Sequence, residues 1–411
     1  MRILFVSNLY PPHYVGGYEF GCYEAATQLK NRGHEVRVLT STYGVSNPEF
    51  DGQVYRWLQL DFDPPARSLG QRALRVLRKE IRNQRAFKRV AADFRPDLVY
   101  FWNLRTVSIS IAFWAQRKNI GCCFYVFDKW LETWRKDQWY SLWPPAPRPL
   151  VKLISGLLRW LLEQLGIVTT DSLSLEHVQF ASHFLQHALF QTGETVAEAK
   201  IIHWGIEIDT FPFQPQVNRE QLLFAGQIGR HKGVHTAIEA LQILVRDHGL
   251  TSLSLTIAGS GADREYEAEL HRLTRAGGLE QHVRFIGFVP RDRLPELYQA
   301  HGLLLFPSIV DEGLGLSMLE AMATGLAVVG TASGGSAEIL HHERTGLVFP
   351  KEDAADCAAR ILRLLSDDQL FEQLRHNGRQ IVEQEFTIDR AIESIERSIS
   401  SICAASESVH K

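Results

Sequence analysis

An apolar run, Arg2 to Ser7 (RILFVS), leads into a loop marked by Pro11, Pro12, Gly16 and Gly17. A helix-like stretch from Glu19 to Arg32 follows, closed by Gly33, and then a second apolar run, HEVRVLT (34–40). Runs that are apolar at successive positions bury both faces of a strand. Separated by a loop and a helix, they begin a parallel, doubly wound α/β sheet rather than a set of hairpins. DLVYFW (97–102) and CCFYVF (122–127) are further strands of the same kind. The order restarts at QLLFAG (221–226), with a helix over 234–248. SLTIAG (254–259), HVRFIGF (282–288), GLLLFPS (302–308) and GLAVVGT (325–331) follow as strands. A chain of 411 residues is too long for one ordinary domain and comfortable for two. The join is predicted between His203 and Phe213, where Gly205 and Pro212 interrupt the pattern, and Pro215 follows just beyond. Ile388, Ile392, Ile395 and Ile399 predict a closing helix. Ligands of such sheets bind beyond the carboxyl ends of the strands.

Charge and cysteine use narrow the function classes. The net charge of −3 excludes a nucleic-acid binder driven by overall charge. It conceals an asymmetry: residues 1–205 hold 25 Lys and Arg against 18 Asp and Glu, and the remainder 19 against 29. Such a split predicts two units with different surfaces. The cysteines, Cys22, Cys122, Cys123, Cys357 and Cys403, are odd in number and form no C-x-x-C pair, so a disulfide framework or zinc ribbon is not expected and a reducing cytoplasm is. The start of the chain does not read as a signal peptide, and no run of about 18 apolar residues predicts a spanning helix.

The stretch PSIVDEGLGLSMLEAMATGLAVVG (307–330) carries the most chemistry. A strand ends near Pro307, Glu312 sits in a loop with Gly313 and Gly315, and a helix starts near Leu316 with Glu320 close to its first turn. Glycines let a ligand approach the main chain. A helix start offers unpaired N–H groups and partial positive charge to an anion. A carboxylate accepts hydrogen bonds from neighbouring hydroxyls, so Glu312 and Glu320 suit a polyol. The plainer alternatives are a dipole-favoured acid for Glu320 and a solvated loop charge for Glu312. GSGAD (259–263) lacks the third glycine of a dinucleotide fingerprint and reads as an ordinary strand-to-helix turn.

The pattern E-G-x-G-L-x-x-L-E-A-M-A-x-G, with two Glu enclosing seven residues, resembles the donor-sugar motif of family 4 retaining glycosyltransferases. PPHYVGG (11–17) resembles that family's first loop and GQIGRHKGV (226–234) its phosphate-binding segment. The resemblance implies a GT-B fold, two Rossmann-like doubly wound domains facing across a cleft. It implies an acceptor-side domain over 1–205, a nucleotide-sugar domain over 206–385, and a helix over 386–411 that crosses back. Position by position it implies that Glu320 binds the ribose hydroxyls and Glu312 a hydroxyl of the transferred sugar. Main-chain N–H groups from Gly313, Leu314, Gly315 and Leu316 would hold sugar and diphosphate. Lys232 would neutralise the leaving diphosphate, and Gly16 and Gly17 would lie against the phosphates. The donor would be a nucleotide-diphosphate sugar, with no cofactor and no metal required. Other GT-B activities, such as an epimerase, and a non-catalytic nucleotide-sugar binder stand as alternatives.

Two departures bear on these roles. Where the family carries Arg five residues before the lysine, this chain has Gln227, which donates hydrogen bonds but brings no charge; Arg230 is a nearby substitute. Where the family often carries His on the acceptor side, this chain has Tyr100, Trp102 and Phe127, which leaves Asp128 as the polar group to orient an acceptor or simply to cap a loop. The implied acceptor is a glycan, a lipid-linked sugar or another hydroxyl compound, with no nucleic-acid partner.

Residues 67–95 carry ten Lys and Arg and two acids, with Leu74, Leu77, Ile81, Phe87, Val90 and Ala91 as an apolar stripe. Five of the nine tryptophans lie between Trp130 and Trp160, and Leu150 to Leu165 reads as an apolar helix. Peripheral contact with an anionic membrane on its cytoplasmic face is one reading; a solvated helix and core tryptophans are the other.

Overall fold

The computed structural model describes residues 1–14, 16–45, 50–61, 69–143 and 149–409. Val15, within the first loop, and residues 144–148, within a proline cluster, lie outside them, as do residues 67 and 68 of the basic segment. Among the described residues the chain forms two units. One comprises Met1–Ala181, Leu185–Ile202 and Ile392–Lys411, the other Ser182–Phe184 and His203–Ala391.

The first unit holds a parallel sheet of β1 (Arg2–Ser7), β2 (Glu35–Ser41), β3 (Val54–Leu58), β4 (Leu98–Asn103), β5 (Gly121–Val126), β6 (His177–Phe180) and β7 (Glu198–Ile201). Their order is β3-β2-β1-β4-β5-β6-β7. The helices between them are α1 (Gly17–Asn31), α2 (Leu69–Phe94), α3 (Ser110–Arg117), α4 (Pro149–Gln164) and α5 (His183–Gln191). The second unit's sheet runs β8 (Gln221–Ala225), β9 (Ser254–Ala258), β10 (Val283–Gly287), β11 (Leu303–Phe306), β12 (Ala327–Gly330) and β13 (Leu347–Val348), ordered β10-β9-β8-β11-β12-β13. With it go α6 (Val234–Arg246), α7 (Arg264–Ala276), α8 (Leu294–Gln299), α9 (Leu316–Thr324), α10 (Ala354–Ser366) and α11 (Asp368–Glu385); the last helix is α12 (Ile388–Val409). Every ladder is parallel. Each sheet therefore reverses its direction of winding once, between β1 and β4 in the first and between β8 and β11 in the second. Sheets of this kind bind their ligands at such points, beyond the strand ends.

The central strands form because every position can be buried. Ile3 to Val6, Leu98 to Trp102 and Leu303 and Leu304 are fully enclosed. In the second unit α6, α10 and α11 add Ile238, Leu241, Ile361 and Leu374 to the same core. The first core is aromatic: Trp102 stacks on Tyr125 with ring centroids 4.4 Å apart, and Phe5 meets Tyr100 edge to face. Ile388, Ile392, Ile395 and Ile399 are all buried on α12.

Helix α2 departs from the stripe that its sequence predicts. Phe87, Val90 and Ala91 are buried, but Leu74 is exposed, and the inward face of the middle stretch carries Val76, Glu80, Asn83 and Gln84. The reason is that these polar groups bracket loop main chain. Asn83 accepts from the Gln59 N–H at 2.7 Å and donates to the Gln59 and Val107 carbonyls. Gln84 donates to the Val168 carbonyl and accepts its N–H. Glu80 accepts from Gln84 and from the Ser110 hydroxyl. Of the five tryptophans between 130 and 160, Trp130, Trp134 and Trp139 are core residues, whereas Trp160 is exposed.

Complete burial pushes the Glu80 carboxyl up to about 7. A carboxyl raised on folding is neutral in both states at low pH. Above its folded value the native state must hold a buried charge. Its contribution to stability is thus intact below about pH 4.5 and lost as pH rises through 7. We expect urea unfolding to show Glu80→Gln more stable than wild type above pH 8, by ~2–3 kcal/mol, with the gap closing towards pH 4. A gap that does not change with pH would mean that folding leaves the carboxyl unshifted.

Candidate active site

The second sheet reverses between β8 and β11, which pair through Leu222 with Leu303 and Leu223 with Leu304. Their loops leave the same edge and are tied by an Ile309 N–H donating to the His231 carbonyl at 2.9 Å. Gly233 makes this approach possible. It sits at φ 67°, and a Cβ there would lie 2.0 Å from the Pro307 carbonyl oxygen. The turn ends by projecting Lys232 from one loop towards Glu312 of the other. Lys232 Nζ donates to both oxygens of Glu312, at 2.7 and 3.0 Å. The buried Ser308 hydroxyl also donates to that carboxylate. The Glu312 main chain is fixed in turn, since its carbonyl accepts from the Gly335 N–H at 2.7 Å.

Four residues further on, α9 begins at Leu316 after Gly315 in the left-handed region. The N–H groups of a first helical turn have no intrahelical acceptor. Glu320 lies one turn in and is 4% exposed. Its Oε2 accepts from the Tyr298 hydroxyl at 2.8 Å, and Oε1 is 3.8 Å from Arg291. Burial and the neighbouring Glu320 push the Tyr298 phenol up, so Tyr298 is the donor. The two glutamates thus have separate supports: Glu312 is held by Lys232 and Ser308, Glu320 by Tyr298 with Arg291 beside it.

The other residues singled out in the sequence are placed as follows. Gln227 is exposed just beyond β8. Arg230 turns to α7, where it pairs with Glu269 and lies 5.0 Å over the Tyr266 ring, so the structure does not bring it to Lys232. Gly313 and Leu314 continue the loop from Glu312, with Leu314 buried. In the first unit Gly17 opens α1, and the Gly16 N–H donates to Glu19 Oε2 at 3.0 Å, so a carboxylate already occupies that helix start. Asp128, beyond β5, accepts from the Trp130 N–H at 2.8 Å and lies 3.9 Å from Arg105. Burial pushes its carboxyl above the usual range, with Arg105 acting the other way. GSGAD is the turn into α7, where Asp263 caps the helix by accepting from the Tyr266 N–H.

Sequence reasoning missed Ser308, Arg291 and Tyr298, whose partners are distant in sequence. It also missed a cluster of His183, His203 and Glu338, whose ligand-type atoms lie within 4.8 Å of one another. That carboxylate is engaged already: it accepts from the His183 and Phe184 N–H groups at the start of α5 and lies 2.9 Å from the His203 ring.

Comparison with known proteins bears on the whole chain. Residues 206–381 match the family described as Glycosyl transferases group 1, and residues 15–209 match Glycosyltransferase Family 4. The chain is 28% identical over 406 residues to a glycogen synthase of Mycobacterium tuberculosis, covering 94% of this chain and 91% of the relative. A shorter stretch, 147 residues, is 33% identical to a D-inositol 3-phosphate glycosyltransferase of Corynebacterium urealyticum, or 35% of this chain and 34% of that one. The fold resembles HepE of Anabaena in complex with UDP-glucose, with a TM-score of 0.70 at 21% identity over 98% of this chain and 100% of that chain. It also resembles sucrose-phosphate synthase of Thermosynechococcus elongatus, with a TM-score of 0.73 at 20% identity over 98% and 99%.

Gly233→Ala is expected to destabilise the protein by ~2 kcal/mol or more in urea unfolding, because its Cβ meets a carbonyl and its φ is unfavourable. An unchanged midpoint would show that the two loops do not need this close approach.

Proposed function

We propose a donor, a stereochemical course and a membrane contact for this chain, which belongs to the group 1 glycosyltransferases of family 4 and is a transferase of GT-B fold. The donor is a nucleoside-diphosphate sugar. Its glycosyl group moves, with retained configuration, to a hydroxyl of a glycan or lipid-linked acceptor in the synthesis of a cell-surface polysaccharide or glycolipid. One observation carries this reading: a lysine and a carboxylate joined at the reversal point of the second sheet, four residues from a free helix start. UDP-glucose bound to HepE, which shares the fold, supports a donor of this class.

In this reading the diphosphate lies against the first turn of α9 and draws Lys232 to itself, and Glu312 turns to a hydroxyl of the transferred sugar. Glu320, held by Tyr298, accepts from the ribose hydroxyls. The bond from the anomeric carbon to the phosphate oxygen breaks, and the acceptor oxygen bonds to the same face. The acceptor proton passes to the departing phosphate oxygen. Lys232 and the helix start meet the charge that develops there, with no metal required. Asp128 orients the acceptor hydroxyl.

The product's anomeric configuration, read by NMR after turnover with a panel of nucleotide sugars, tests the course; an inverted product would refute it. Glu320→Ala is expected to weaken nucleotide binding by ~1–3 kcal/mol. Lys232→Ala should lower kcat more than donor affinity. Equal nucleotide affinity in wild type and Glu320→Ala would remove that residue from the ribose.

The membrane contact is assigned to α2 and α4 on the cytoplasmic face. Val76 of α2 and Leu162 of α4 share a buried cluster with Trp139 and Ile167, so the two helices lie together. Their outer faces expose Leu157, Leu158, Trp160 and Leu161 on α4, with Leu165 just beyond it, and Arg72, Arg78, Arg82, Arg85 and Arg89 on α2. No helix among the described residues is long and apolar enough to cross a membrane. Apolar side chains beside arginines suit an anionic lipid surface. Co-sedimentation with vesicles should require anionic lipid and weaken with salt. Absence of binding at low salt would leave both faces to solvent.

A further inference from the structure

We propose that His183, His203 and Glu338, all in the second unit, bind one divalent transition-metal ion of the zinc class, which ties together three segments distant in sequence. The site is separate from the transfer chemistry above, and its failure would leave that reading untouched.

Ligand chemistry is the first argument. Two imidazoles and one carboxylate offer two nitrogens and an oxygen. That donor set suits zinc, whereas magnesium and calcium prefer oxygen alone. The ligand-type atoms of the three residues lie within 4.8 Å of one another. His203 Nε2 is 2.9 Å from Glu338 Oε2. An ion ~2.0–2.1 Å from each would see them about 90° apart. The His183 and His203 ring centroids are 6.0 Å apart, with the planes inclined at 68°. Two imidazoles on one zinc ion have ring centres about 5–6 Å apart, given the metal–nitrogen length and the size of the ring. His183 is exposed, so its ring can turn towards the ion without unpacking a core.

Preorganisation of the carboxylate is the second argument. Glu338 Oε2 accepts from the His183 N–H at 3.1 Å, and Oε1 from the Phe184 N–H at 3.0 Å. These bonds use one lone-pair site on each oxygen and leave the others available, since a carboxylate has about four. Hydrogen bonds of this kind aim a ligand at its metal. Glu338 ends the turn Gly335–Glu338, which already lies close to Ser182: a Cβ on Gly335 would be 3.0 Å from the Ser182 hydroxyl. Two of the three segments are therefore in register before an ion binds.

Charge is the third. Among the described residues Glu338 has no Lys or Arg partner, and its ion pair is with the His203 ring. With the ring proton on Nδ1, the Nε2 lone pair faces Oε2, and a cation between them turns a repulsion into two bonds. With the proton on Nε2, the contact is an ordinary hydrogen bond, whose hydrogen the metal replaces. Side-chain exposures of 22% for His203 and 18% for Glu338 let an ion arrive from solvent while keeping both groups partly enclosed.

Calorimetric titration of the full chain with zinc chloride in a non-chelating buffer tests the inference. One equivalent should bind, and His183→Ala and His203→Ala should each weaken it at least tenfold. His183→Ala is an exposed change that leaves the fold in place. His248→Ala, at an exposed histidine beyond α6, should leave binding unchanged. At one fixed zinc concentration the Tm of wild type should rise more than that of either site variant, because an ion held only by the folded chain stabilises it. Excess magnesium should not displace the zinc. Absence of a zinc equivalent, its survival in either site variant, equal weakening by His248→Ala, or displacement by magnesium would each overturn the proposal. An unchanged wild-type Tm would do the same.

Discussion

Lys232 and Glu312 are eighty residues apart and meet because β8 and β11 are neighbours. In a parallel sheet adjacent strands deliver their following loops to one edge. Where the winding reverses, the helices those loops feed diverge and leave that edge open. The short ladder between Leu222–Leu223 and Leu303–Leu304 therefore fixes which side chains can converge. The pair is only partly buried, with side-chain exposures of 25% and 13%. A pair in that setting contributes modestly to stability and remains open to competition by a ligand anion, unlike a fully buried one.

The two units share this architecture and differ in what they place at the corresponding edge. In the second, the edge carries a cation, two carboxylates and a helix start. In the first, the start of α1 is already filled by Glu19, and the neighbouring loops present Asn103, Asp128 and indole rings. The first unit's excess of positive charge lies mostly along α2, away from its central strands. One geometry thus yields an edge of charged side chains beside a helix start on one sheet and a more aromatic edge on the other, through side-chain choice alone.

How far the sequence revealed this depends on whether each signal was local. RILFVS, QLLFA and LLLF read as strands because both faces are buried, and the closing helix reads from its isoleucine spacing. The placement of Glu312, Glu320 and Lys232 at strand-end loops and a helix start was legible from the glycines around them. The buried face of α2 was not, since Glu80, Asn83 and Gln84 look like solvated helix positions until the loops they bracket are known. The short strands β6, β7 and β13 lacked a long apolar run. The supports of Glu320 and Glu312 are tertiary: Tyr298 lies twenty-two residues away from its partner on another helix, and Ser308 reads as an ordinary loop serine.

Gln227 brings these points together. It brings no charge to the loop after β8 that leads to Lys232. Arg230 does not substitute, because Glu269 and Tyr266 hold it on α7. Under the proposed reaction, Lys232 and the main-chain donors of α9 carry the neutralisation of the diphosphate. Without a second cation, Glu312 is satisfied by Lys232 and Ser308 until an anion arrives. Drawing Lys232 to the phosphate then weakens its hold on the carboxylate and frees it for the sugar hydroxyl. Under that proposal phosphate and sugar recognition are coupled through one shared lysine, and a free nucleotide or a free sugar would engage only part of the site.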